Sequence, residues 1–122
     1  MHEIKNISDL DGIDFTVGMN NVLGDKALFQ EILVMFYQDH HHDGQKLQSA
    51  IKAQDLATAK HLAHTLKGVA CSVGAMKLYE AAKALDSAIN DEQHNSFEVL
   101  LDNLLPELAQ VMKAIIMKLD VN

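Results

Sequence analysis

The stretch HLAHTLKGVACSVGA, residues 61–75, places His61 and His64 three positions apart, with the pair Lys67-Gly68 one turn beyond the second. An imidazole offers an unprotonated nitrogen near neutral pH, so it can attack phosphorus or ligate a metal. A lysine one turn away supplies a flexible positive charge for an anion carried on the ring. A glycine inside an exposed helical surface costs about 1 kcal/mol relative to alanine. At position 68 its missing side chain clears the flank of the imidazole. Together these residue types outline a phosphoryl acceptor at His64, approached by another macromolecule. The same geometry also describes an ordinary solvated histidine.

At about 100° per residue, Leu62, Leu66, Val69 and Val73 all lie between roughly 140° and 180° from His64, with Ala59 and Ala70 on the flanks. That arc is the expected buried side, so His64 points to solvent. Lys60, His61, Lys67, Gly68 and Cys71 share its direction. His61 sits about 60° off, towards the edge of the expected bundle. It has no cleared flank and reads as a partly buried surface histidine. A metal pair of His61 and His64 is allowed by their spacing, but no third ligand stands in register. Cys71 lies two turns beyond His64, more than about 10 Å along the axis. It reads as a small residue on the docking face and not as a nucleophile.

These residues need a scaffold. A chain of 122 residues with 48% apolar residues suits a single domain, 1–122, with one modest core. One proline, six glycines and almost no strand-like alternation predict an all-α fold. A short first helix covers about 14–23, capped by Asp14 and ended by Gly24. The second starts after Asp25 and runs to about His41, with Leu28, Ile32, Met35 and Phe36 inward and Phe29 and Leu33 widening that face. A short third spans about 44–53. The fourth is capped by Asp55 and stopped by Gly74, and the fifth covers about 75–89. The last runs from about 95 to 119, with Pro106 expected to kink it. The expected architecture is an antiparallel four-helix bundle with a short N-terminal helix and one additional short helix.

Composition excludes several functions. A formal charge of -7 without a Lys/Arg stripe argues against nucleic-acid binding. The single cysteine fits a reducing compartment. The acidic, polar start MHEIKNISDLDG does not read as a signal peptide, and no apolar run approaches a membrane span. A cytoplasmic domain without direct membrane contact is the expectation. His40, His41 and His42 would point about 100° apart on a helix and cannot all meet one metal. They suit a helix end, where histidine can bond terminal carbonyls. No metal site is assigned.

HTLKG at 64–68, followed by small residues and the Gly74-Ala75 step, resembles the signature of histidine-containing phosphotransfer (HPt) domains. The leader GIDFTVGMNNVLGDKALFQEILVMFYQD, residues 12–39, is similar to the family's N-terminal part. AAKALDSA, residues 81–88, resembles its next helix, where a Leu-acid pair is usual and is here Leu85-Asp86. The likeness runs from about 12 to about 90, with a generic amphipathic helix beyond it, giving a recognisable core of about 12–119. It implies that His64 receives a phosphoryl group from a receiver-domain aspartate and passes it to another receiver's aspartate. Lys67 becomes the charge partner and Gly68 the gap that admits the receiver. Met19, Lys60 and Cys71 fall to partner binding; of the apolar Phe15, Met19 and Val22 some must pack inward, Phe15 first, and Met19 is the preferred contact. The cofactor is Mg2+ on the partner receiver, with none in this chain. Cys71 departs from the glycine or other small residue usual at its position.

Three other readings compete. The phosphoacceptor and dimerisation domain of a sensor kinase normally follows its histidine with an acid, but here Thr65 follows. The chain also lacks a nucleotide-binding segment, so no ATP-dependent kinase activity is expected. A metal-binding bundle and a helical adaptor without chemistry share the fold, and the adaptor leaves Gly68 without a reason. A monomer is expected because the apolar stripes are consumed internally. The tight ends around the core suit either a free-standing relay protein or the end module of a hybrid histidine kinase in the inner membrane.

Overall fold

The structure, a computed structural model, describes residues 10–119. Most of the polar leader, residues 1–9, lies outside the described residues, as do residues 120–122. Six helices follow in order: α1 Phe15–Asn21, α2 Lys26–His40, α3 Asp43–Lys52, α4 Leu56–Val73, α5 Met76–Asn90 and α6 Phe97–Leu119. A 3-10 turn, His94–Ser96, leads into α6. Among the described residues there is no strand. Helices α2, α4, α5 and α6 form the antiparallel bundle, and α1 and α3 are the two short additions.

The helix ends are where local chemistry puts them. The carboxylates of Asp14, Asp25 and Asp55 accept from the backbone N–H of Val17, Leu28 and Thr58 respectively, which satisfies orphan donors of the first turn. Asp55 also accepts from the Thr58 hydroxyl at 2.7 Å. That bond, with the one from the Thr58 N–H, holds its carboxyl below the usual range. Gly74 closes α4 at φ +82 in the left-handed region, where an L side chain is strained. A Cβ there would also lie 2.4 Å from the Asp14 carbonyl oxygen, while the Gly74 carbonyl accepts from Asp14 N–H at 2.7 Å. This glycine both turns the chain and seats α1 against the end of α4. The Asn21 side-chain amide adds two bonds, to the carbonyls of Cys71 and Ser72.

In α5 and α6 buried residues recur at spacings of three and four: Leu78, Ala82, Leu85 and Ile89, and Leu101, Leu104, Leu108, Val111 and Ile115, line the core. In α2 the face is displaced. Phe29, Leu33, Val34 and Phe36 are buried, whereas Leu28 and Met35 are exposed and Ile32 is half-buried. Two stripes of identical spacing, 28-32-35 and 29-33-36, run side by side on α2, and periodicity cannot rank them. The stripe with both aromatic rings goes inside, since burying more apolar area gains more. Phe29 then meets Phe15 edge to face at 6.2 Å. Helix α6 continues unbroken through the exposed Pro106.

The histidine run closes α2 with two ring bonds. His41 Nδ1 lies 2.7 Å from the Tyr37 carbonyl, its ring stacked on Tyr37, and His40 Nδ1 lies 2.8 Å from the buried Asp43 carboxylate. Among the described residues no helix is long and apolar enough to cross a membrane.

Candidate functional site

Helix α4 buries Ala59, Ala63, Leu66, Ala70 and Val73 and leaves Leu62 and Val69 half-buried. The centre of that stripe lies about 140° from His64, not opposite it. Four of the arc's residues belong to the expected buried side; Leu62 and Val69, only half-buried, drop out and Ala63 joins, and together these move the centre round. Alanines let a neighbouring helix approach closely, and α5 is the helix α4 packs against most. The rotation reorders the surface. Gly68 faces directly outward, and His61, expected to be partly buried, is exposed. Lys60, Lys67 and Cys71 are half-buried on the shoulder, with both lysines directed to α5. His64 keeps 67% of its side chain exposed.

The shoulder faces an acid. Asp86, on α5, is only 4% exposed. Its Oδ2 accepts from Lys67 Nζ at 3.1 Å and lies 3.4 Å from His64 Nδ1. Its Oδ1 has no hydrogen-bond partner, but Lys60 Nζ stands 3.5 Å away as an ion pair. Lys60 Nζ also donates to the Asn90 side-chain oxygen, one turn further along α5. Burial pushes the Asp86 carboxyl up. The hydrogen bonds from Lys67 and His64 and the charges of Lys60 and Lys67 outweigh it, holding the carboxyl below the usual range. An ionised carboxylate can only accept hydrogen bonds, so Nδ1 of His64 is the protonated nitrogen. Nε2 is left with the free lone pair.

Asp86 is the site residue that sequence reasoning missed, having entered only as half of a Leu-acid pair. A signal was present. Position 86 lies about 40° beyond Ala82, at the border of the stripe Leu78, Ala82, Leu85 and Ile89. A carboxylate there must find cations. Which cations depends on the docking of α5 against α4.

Of the other residues assigned to partner binding, Met19 is half-buried on α1, beside the C-terminal half of α4, and Val22 is buried. Leu23, at φ 54 in the turn after α1, is 96% exposed. Among the described residues no group of three His, Cys, Asp or Glu side chains is placed to hold a metal ion.

A bundle that presents one exposed histidine against a buried acid and two lysines is the architecture of a phosphotransfer module. The sequence matches the Hpt domain family over residues 31–116. The chain belongs to that family. The match takes in α6, beyond the point near residue 90 where the motif resemblance stopped. Among solved structures, the fold is similar to "the HPT domain from the Hpt Sensor Hybrid Histidine Kinase" from Shewanella, with a TM-score of 0.81 and 24% identity. That alignment covers 89% of this chain and 94% of the other. No curated protein matches the sequence.

Proposed function

We propose that this domain is a phosphorelay intermediate, in which His64 accepts a phosphoryl group from a receiver-domain aspartate and passes it to the aspartate of another receiver. The observation that carries the reading is the pairing of an exposed His64 ring with a buried, ionised Asp86 on its Nδ1 side. Nε2 attacks phosphorus, the N–P bond forms, and the receiver's carboxylate leaves with the electron pair of the broken O–P bond. The Nδ1 proton stays in place, so the ring ends the step as a cation facing the Asp86 anion. No proton needs to move, which keeps the step reversible and suits a group that receives and then donates. Lys67 is within reach of the oxygens of the transferring group, where positioned charge matters most. Mg2+ belongs to the receiver.

The donor and the acceptor use one docking face, so they bind in turn. Met19 and the exposed Leu23, held beside α4 by the Asn21 bonds to Cys71 and Ser72, offer apolar contact next to Gly68 and Cys71. The module works as a monomer in the cytoplasm, either free-standing or as part of a hybrid kinase. Incubation with phosphorylated receivers of the source organism tests this. One or two should label the chain within seconds, and ATP alone should not. Labelling by ATP would favour a kinase domain, and uniformly slow transfer from every receiver would remove the relay reading.

Gly68 separates folding from function. A Cβ at this position meets no atom within 4 Å, so the fold has no steric need for glycine. Gly68→Ala should stabilise the protein by about 0.5–1 kcal/mol through helix propensity. Gly68→Gln should leave the melting temperature at or above wild type and slow transfer about tenfold, the cost of a misfit of about 1.4 kcal/mol at the docking step. A variant that melts early yet transfers normally would show that the glycine serves packing.

A further inference from the structure

The Asp86 carboxylate is served by more cations than one buried charge requires. Lys67 bonds Oδ2 directly, His64 adds a second contact to Oδ2, and Lys60 stands off Oδ1. The two lysines are not equivalent. Among the described residues Lys67 bonds only Asp86, and it lies three residues after His64, on the approach to the ring. Lys60 is tied back by the Asn90 side chain at the end of α5. A phosphoryl group on Nε2 would carry two negative charges into water beside Lys67, and would draw that lysine away from Asp86. A carboxylate 4% exposed that loses its best cation is costly unless another takes its place.

We propose that Lys60 is a positioning residue of the phosphoryl-transfer site, a reserve cation that keeps the Asp86 carboxylate paired when Lys67 moves to the phosphoryl group on His64. Asn90 holds it on the Oδ1 side, where it serves the acid and not the phosphate. This rests on His64 being the phosphoryl acceptor. In the resting protein Lys60 is one of two lysines on Asp86; in the phosphorylated protein it is the only one, joined by the Nδ1–H of the ring.

The test uses potassium phosphoramidate, which needs no receiver: Nε2 attacks its phosphorus, ammonia leaves, and excess ammonium reverses the reaction. The phosphohistidine fraction at a fixed phosphoramidate-to-ammonium ratio is read by 31P NMR. Lys60→Met should lower the phosphohistidine equilibrium constant about threefold, as expected for a half-exposed ion pair, with unchanged circular dichroism and melting. Lys60→Arg should restore it. In a Lys67→Ala background the Lys60→Met change should lower it no further, because there is no lysine left to release. An equal loss in both backgrounds would mean that Lys60 acts directly on the phosphate and would overturn the inference, as would no loss in either. If the wild type takes no phosphoryl group from phosphoramidate, the acceptor assignment and this inference fall together. If it does so but accepts none from any receiver, the relay reading fails and the role of Lys60 stands.

Discussion

Replacing His64 with glutamine should abolish phosphoryl acceptance, lowering labelling by a phosphorylated receiver about 1,000-fold or more, the scale on which loss of a nucleophile acts. The wild type should carry an acid-labile, base-stable phosphate, as expected of a phosphorus–nitrogen bond. The fold should be untouched. His64 is mostly exposed, and surface substitutions usually change stability by less than about 0.5 kcal/mol. The one interior contact it makes, to Asp86, can be met by the glutamine amide, which donates as Nδ1–H does. His61→Gln is the matched control. That residue lies one turn away, is exposed, and makes no contact with Asp86, so its variant should accept phosphate at the wild-type rate. Undiminished labelling in His64→Gln, or loss in His61→Gln alone, would assign the chemistry elsewhere.

Asp86→Asn should slow transfer through His64 by about 10- to 100-fold. A well-placed electrostatic group contributes about 100-fold or more, and the 3.4 Å spacing from Nδ1 argues for the lower part of that range. The asparagine is close in size but carries no charge to balance the ring as it becomes cationic. Its amide can also donate to Nδ1, which would favour the wrong tautomer. The substitution has a second signature, in stability against pH. The Asp86 carboxyl is held below its unfolded value near 3.8. Between that value and its lower folded one, the unfolded chain binds the extra proton. The stabilisation from the ionised acid is therefore complete above the unfolded value and is lost as pH falls through the folded one. Urea titrations should show wild-type stability declining relative to Asp86→Asn as pH falls below about 4. A variant that transfers at the wild-type rate would exclude Asp86 from the reaction. A stability difference independent of pH would mean that the carboxyl is not held by its cations.

The readable parts of this protein are those governed by neighbours along the chain. Asp14, Asp25 and Asp55 cap helices because a short carboxylate reaches an N–H three residues on, and Gly74 ends α4 because a left-handed φ favours glycine. The same logic placed His64 and Gly68 on the outward side of one helix, since a 100° step is a local property. Tertiary packing decided the rest. Which of two equally spaced stripes α2 buries is decided by the apolar area that Phe29 and Phe36 bury in the core, and a period does not express an area. The rotation of α4 that carries His61 into solvent and Lys60 and Lys67 onto the shoulder follows from how α4 packs against its neighbours, α5 above all. Asp86 is 22 residues from His64 in the chain, and its carboxyl is held low, against the effect of burial, by the lysines and the ring that α4 brings to it. The proposed acceptor could be read from local information; the anion behind it and the two cations it shares exist only where two helices meet, because electrostatic pairing depends on distance in space and on exclusion of water.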